Sequence, residues 1–102
     1  MAALLPAAEA QEINVAPHNF YGHLCTMMNA HFAAAVPNLR IVETDVDRIA
    51  WDAELFTSVP NIVDGHLVMP DTPGWGIEPD EEGIRAHPPK DRAGLLSYGR
   101  RN

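Results

Sequence analysis

The sequence predicts an α/β protein built on one parallel strand–helix–strand unit, and three observations carry that prediction. Ile13-Asn14-Val15-Ala16 is a short, largely apolar run that stops at Pro17, a residue with no N–H to offer a sheet ladder. Leu24, Met27, Met28, His31, Phe32 and Ala35 fall at i, i+3, i+4, i+7, i+8 and i+11, one face of an α-helix. Leu39-Arg40-Ile41-Val42-Glu43-Thr44 then reads as a second strand. The connection from Asn19 to Asn38 is long enough for a right-handed crossover, so the two strands run parallel.

Taken in order, Ala7 to Gln11 is alanine-rich and favours the end of a helix, with Pro6 tolerated in its first turn. The Ile13–Ala16 run suits a strand covered on both faces. Pro37-Asn38 ends the long helix. Asp45 to Phe56 is an acidic connection carrying Trp51, after which Asn61 to Met69 presents two apolar runs around Asp64-Gly65. That pair favours a type I′ hairpin turn. Pro70 to Gly76 reads as an irregular loop, and Asp80 caps a short helix through Arg85 or Ala86. From His87 onward the Pro-Pro-Lys, Gly and Arg content predicts a loose tail. The chain holds no internal repeat.

Composition excludes several roles. Hydrophobic residues make up 46% of the 102 positions, which places the chain among globular proteins, and no apolar run approaches the ~20 residues of a membrane span. Fourteen acidic residues against seven basic ones give a net charge of −7, which opposes binding to nucleic acid or an anionic membrane. Eleven of the carboxylates lie between Glu43 and Glu82, while five basic residues lie from Arg85 onward. Cys25 is the single cysteine, so an internal disulfide and a cysteine-based zinc site are excluded, and a cytoplasmic setting is expected. It reads as a small buried apolar residue. The apolar start has no basic n-region and breaks at Pro6, so it does not read as a targeting segment.

Parallel sheets with helical crossovers present their binding and catalytic groups at the carboxyl ends of strands. Here those ends carry His18 and Glu43. On adjacent strands, ~5 Å apart, an imidazole and a carboxylate reach one small ligand. Asn19 and His23, beside His18 and at the start of the helix, are the expected substrate contacts. His31 lies on the apolar stripe as a core or edge histidine, and His66 and His87 are expected at the surface. Trp51 and Trp75 are expected to pack against a neighbouring domain. The spacing of His18 and His23 matches no compact histidine-ligand motif, so no metal ligand is assigned.

Val15-Ala-Pro-His-Asn, the helix ending Ala33-Ala34-Ala35-Val36-Pro37-Asn38, the strand closing on Glu43, the Asp64-Gly65 hairpin and Pro73-Gly74-Trp75-Gly76-Ile77-Glu78-Pro79-Asp80-Glu81 occur in that order. Together, over roughly residues 7 to 86, they resemble the mandelate racemase/muconate lactonizing enzyme family of the enolase superfamily. The resemblance implies the C-terminal part of a (β/α)8 TIM-type barrel: residues 1–55 as its last two strands and intervening helix, residues 56–86 as a hairpin and a segment returning to the capping domain, and residues 87–102 as the tail. It also implies abstraction of the proton next to a carboxylate, with Mg²⁺ holding the enediolate, as in acid-sugar dehydratases and racemases. His18 matches the histidine that serves as general base and, in dehydratases, as acid for the leaving hydroxyl. Glu43 matches the group that contacts the substrate carboxylate, a role best filled by a protonated carboxyl group. The family's carboxylate metal ligands sit on earlier strands, so this chain is expected to bind no Mg²⁺ by itself. The implied substrate is a small sugar acid or other carboxylate.

The chain alone is accordingly expected to lack catalysis and to expose strand edges that self-associate or pair with the rest of a barrel. The alternative is a non-catalytic small α/β interaction protein that uses the same edge. Light scattering and circular dichroism on the isolated chain are expected to show association and a broad thermal transition. A sharp cooperative melt of a monomer would contradict this.

Overall fold

The computed structural model describes residues 4–88. They run α1 (Leu4–Ala10), α2 (His23–Ala35), a 3-10 helix (Asp52–Leu55), β1 (Ile62–Val63), β2 (His66–Leu67) and α3 (Glu81–Ala86). The predicted tail lies outside the described residues from position 89 onward. No helix among the described residues is long and apolar enough to cross a membrane.

Pro6 occupies the first turn of α1, where its missing N–H breaks no helical bond. The helix closes with paired reverse bonds, Ile13 N–H to Ala8 O at 2.8 Å and Glu12 N–H to Glu9 O at 3.0 Å. These form a Schellman motif with Glu12 left-handed at φ 55°. The turn delivers the chain into the extended run at Ile13.

Val15 and Leu39 form an isolated parallel bridge, closed by Val15 N–H to Asn38 O at 2.9 Å and Arg40 N–H to Val15 O at 2.8 Å. The expected strands 13–16 and 39–44 are therefore adjacent and parallel, but among the described residues they do not zip into a regular ladder. Side-chain amides take over on both sides of the bridge: Asn38 Nδ2 donates to Ile13 O at 2.7 Å, and Asn19 Nδ2 donates to Glu43 O at 3.0 Å. Each such insertion satisfies a strand carbonyl that a ladder bond would otherwise have taken.

The long helix falls where the periodicity placed it, yet its buried face is His23, Thr26, Met27 and Ala30. This is a correction to the expected stripe. Leu24, His31 and Phe32 are only half-buried, and Met28 and Ala35 are exposed. The helix is rolled toward its polar neighbours because Thr26 and His23 are engaged by Asn19, Arg48 and Asp52. The apolar stripe is left partly open.

The hairpin forms as expected, with Ile62 opposite Leu67 and Val63 opposite His66. Its turn residues Asp64 and Gly65 have φ of 49° and 75°, the left-handed pair a type I′ turn requires. Downstream, the segment around Pro79 returns to the 3-10 helix. Thr57 N–H donates to Glu78 O at 2.8 Å and Asp80 N–H to Leu55 O at 2.8 Å. Asp80 caps α3 by accepting from the Glu82 and Gly83 amides. His87 is not a surface residue as expected: its side chain is 22% exposed. It stacks on Trp51 at 4.2 Å and meets Glu54 Oε2 at 2.8 Å. Trp51 thus packs within the chain, and Trp75 sits edge-on to His31 at 5.4 Å.

The core is small. Met27, Ala30 and Ile77 are its buried hydrophobic residues, whereas Ile13 and Ile41, on the two bridged runs, are 58% and 64% exposed. Between α2, the Leu39–Thr44 run and the hairpin lies an open apolar cavity of about 570 Å³, bordered by Ala30, Ala34, Leu39, Ile41 and Leu67.

At Gly83, α3 lies against the 3-10 helix, and a Cβ there would overlap the Glu54 carbonyl oxygen. Backbone cannot yield as a side chain does. Gly83→Ala is expected to cost about 1–3 kcal/mol and to remove hydrogen-exchange protection from the Ile84 amide, which donates to Asp80 O. Unchanged protection would show that α3 does not dock as described.

Candidate active site

The bridge at Val15 and Leu39 sets a common starting line. His18 lies three residues beyond Val15 and Glu43 four beyond Leu39, so at ~3.3 Å per residue both reach a similar height at the carboxyl ends of the two runs. There His18 Nδ1 meets Glu43 Oε2 at 2.5 Å. The side chains remain open to solvent, 70% exposed for His18 and 48% for Glu43. Nδ1 is thereby committed to the carboxylate, and Nε2 makes no hydrogen bond among the described residues.

The same Oε2 also accepts from the Asn19 backbone N–H at 2.8 Å. One carboxylate oxygen therefore fixes both the histidine ring and the backbone that follows it. The Asn19 amide holds the Glu43 carboxyl below its ordinary value near 4.5; partial desolvation opposes this, while the hydrogen bond and charge of His18 reinforce it. In this chain the group has donors aimed at it from two residues, and donors favour the ionised form.

Asn19 and His23 do not stand on the open face. Asn19 is fully buried, its Nδ2 donating to Thr26 Oγ1 at 3.0 Å and to Glu43 O at 3.0 Å. His23 is 7% exposed; its Nε2 lies 3.2 Å from Asp52 Oδ1, and its ring meets Phe56 edge-on at 5.8 Å. Arg48 completes the cluster, reaching Asp52 Oδ2 at 3.2 Å and Thr26 Oγ1 at 3.4 Å. A polar chain thus runs from Glu43 through Asn19, Thr26, Arg48 and Asp52 to His23. Sequence reasoning missed Thr26, Arg48 and Asp52. The i,i+4 spacing of Arg48 and Asp52 was the available signal, but it lies in an irregular stretch where that spacing carries little weight.

Among the described residues, no group of three or more His, Cys, Asp or Glu side chains is placed to hold a metal ion. Mg²⁺ takes near-octahedral oxygen ligands, and the one strand-end carboxylate is already occupied by His18 and Asn19. The donor set of the described residues does not fit that ion.

Two bridged parallel runs joined by a helix, with an imidazole–carboxylate pair at their carboxyl ends, define an α/β protein whose polar groups gather where parallel sheets offer them. Residues 1–83 match the enolase C-terminal domain-like family. The chain is 34% identical over 80 residues to a D-xylonate dehydratase of Haloferax volcanii, covering 78% of this chain and 19% of that protein. Among solved structures, one assigned to an L-alanine-DL-glutamate epimerase of Burkholderia xenovorans, bound to magnesium and fumarate, is 64% identical with a TM-score of 0.83, covering 95% of this chain and 24% of the other. Another, from Agrobacterium radiobacter and assigned to a galactarate dehydratase, holds sodium and L-malate; it is 34% identical with a TM-score of 0.74, covering 84% and 25%. The chain belongs to the mandelate racemase/muconate lactonizing enzyme family of the enolase superfamily and has its enolase C-terminal domain-like α/β fold. It spans about a fifth to a quarter of the length of these relatives.

The lowered Glu43 pKa carries a sign. Because the fold favours the ionised carboxyl, the stability from its contacts is present above the ordinary carboxylate range and is lost as pH falls through the lowered value. Carboxyl ¹³C NMR is expected to find Glu43 titrating below 4.5, with Glu43→Gln abolishing that transition and the associated loss of Asn19 amide protection. A Glu43 titrating above that value would contradict the geometry.

Proposed function

We propose that this chain supplies the acid–base corner of an enzyme that abstracts the proton next to a carboxylate, acting as an acid-sugar dehydratase or a racemase. The single observation that carries the reading is the His18 Nδ1 contact with Glu43 Oε2 at 2.5 Å, which leaves Nε2 directed to no protein partner among the described residues. Relatives that hold fumarate and malate support a small carboxylate as ligand, and the D-xylonate dehydratase supports a sugar acid.

The imidazole chemistry follows from this arrangement. Nε2 takes the α-proton, the C–H electron pair moves toward the substrate carboxylate to give an enediolate, and the new positive charge on the ring is balanced through Nδ1–H by Glu43. In a dehydration, the enediolate collapses by breaking the β-carbon–oxygen bond. The proton on Nε2 leaves with that oxygen as water, and the enol formed tautomerises to a 2-keto acid. In a racemisation the proton returns to the opposite face from another group. The enediolate carries extra negative charge that must be met by cationic groups. The described residues hold no cluster fit for Mg²⁺, and in this reading the ion belongs to carboxylates on earlier strands of the assembled enzyme.

The proposed setting is a (β/α)8 barrel to which this chain contributes the seventh strand, its helix and the eighth strand. The exposure of Ile13 and Ile41 supports it, since both belong to runs that share a single bridge among the described residues. Neighbouring strands would cover them.

The test joins residues 1–102 to the part of the Burkholderia xenovorans relative that this chain does not cover, and measures α-proton exchange in D₂O across sugar acids and simple α-substituted carboxylates. With Mg²⁺ present, exchange or dehydration of at least one substrate is expected, and His18→Ala should lower it by about 10²–10⁴-fold. Turnover unchanged in His18→Ala would sink the assignment.

A further inference from the structure

The fully buried Asn19 carries out no chemistry in the mechanism above, yet its side chain ties together the three pieces of chain that form the site. Nδ2 has two hydrogens, and both are used: one on Thr26 Oγ1 in α2 at 3.0 Å, the other on the Glu43 backbone carbonyl at 3.0 Å. Two acceptors facing one side-chain terminus demand an NH₂ group, so the amide orientation is set by its surroundings. Oδ1 is buried without a partner, a cost tolerated to keep the two donors in place. Thr26 is itself held, its hydroxyl donating to Gly22 O at 3.5 Å and accepting from Arg48 at 3.4 Å.

We propose that Asn19 is a positioning residue: its side-chain amide, braced by Thr26, clamps the Glu43 backbone so that the Asn19 N–H and His18 Nδ1 converge on one carboxylate oxygen. The geometry is a closed loop. Asn19 binds residue 43 twice, through Nδ2 to the main chain and through its own N–H to Oε2. Rotation of the Glu43 side chain away from His18 would break the second tie, and slippage of the strand would break the first. The imidazole is 70% exposed; besides an edge-on contact with Tyr21 at 6.4 Å, its hydrogen bond to that oxygen is what sets its ring orientation among the described residues. The clamp itself stands on the contacts of this chain; its catalytic consequence rests on the proposed function.

The experiment uses the full 102-residue chain. Carboxyl ¹³C titration of Glu43 and ¹⁵N shifts of the His18 ring are recorded for the unaltered chain, Asn19→Ala and Thr26→Val. The last keeps the shape of Thr26 and leaves every atom near Glu43 intact. The expected result is a low Glu43 titration that returns to the ordinary carboxylate range in Asn19→Ala and moves part of the way in Thr26→Val. The Nδ1 signature of the hydrogen bond between His18 and Glu43 should fade in parallel. A Glu43 titration identical in all three overturns the proposal. So does an ordinary value in the unaltered chain, because the clamp would then not be formed. In the joined enzyme, Asn19→Ala is expected to lower kcat about tenfold with KM nearly unchanged, since a positioning defect acts on the reacting geometry. Activity lost in His18→Ala but indifferent to Asn19→Ala would overturn the positioning role and keep the function. Titration shifts as expected in an enzyme inert toward every carboxylate would do the reverse.

Discussion

One carboxylate oxygen holds the site together. Glu43 Oε2 accepts from His18 and from the Asn19 main chain, and both donors lie on the loop that leaves the first extended run. A strand end and the loop of its neighbour are thereby locked at the place where a parallel sheet offers reacting groups. Without that shared acceptor, the two runs would be joined, among the described residues, by the bridge at Val15 and Leu39 and by the side-chain amides of Asn38 and Asn19. The helix between them is rolled to serve the same purpose, turning Thr26 and His23 inward where simple apolar periodicity would have turned Leu24 and Phe32. The fold spends part of its small core on polar contacts, and those contacts set the register of the site.

Buried polar groups are costly unless paired, and the cluster beneath the loop is paired except at Asn19 Oδ1 and His23 Nδ1. Asp52 receives Arg48 on one oxygen and faces His23 on the other, while Thr26 receives both Arg48 and Asn19. This explains why an exposed pair such as His18 and Glu43 is well defined. Surface pairs of flexible side chains contribute little by themselves, but here one partner is tied to the backbone beneath. The return segment adds a second support, with α3 seated on the 3-10 helix and His87 sandwiched against Trp51 and Glu54.

Much of the site was legible in the sequence, because strand ends are marked by local chemistry. The apolar run stopping at Pro17 placed His18, and the β-branched run ending at Glu43 placed its partner. Asp64-Gly65 announced the hairpin, and Asp80 its helix, through the left-handed turn and capping preferences of those residue types. What the sequence did not reveal are contacts between residues far apart in the chain. Asn19 was expected to face substrate because it neighbours His18, and only the fold shows its side chain turned inward to Thr26 and residue 43. Glu43 was placed at its strand end by the pattern, but the first donor that lowers its pKa is a backbone amide that no side-chain pattern encodes. The rotation of α2 had the same origin, since periodicity counts apolar residues and is blind to a polar cluster that competes for the face. The strands themselves were overestimated, because Asn38 and Asn19 interpose their amides where ladder bonds were expected.

The pairing of His18 with Glu43 closes over only 25 positions of sequence, within a single strand–helix–strand crossover. Most acid–base constellations on large α/β scaffolds gather residues from distant parts of the chain, so they are inherited whole or not at all. Here the base, the group that orients it and the amide that braces both are contiguous. One recombination joint ahead of Ile13 and another beyond Thr44 would carry the entire arrangement, bracing included, into a different host sheet. The remaining ties, from Arg48 and Asp52, would be the first to need replacing.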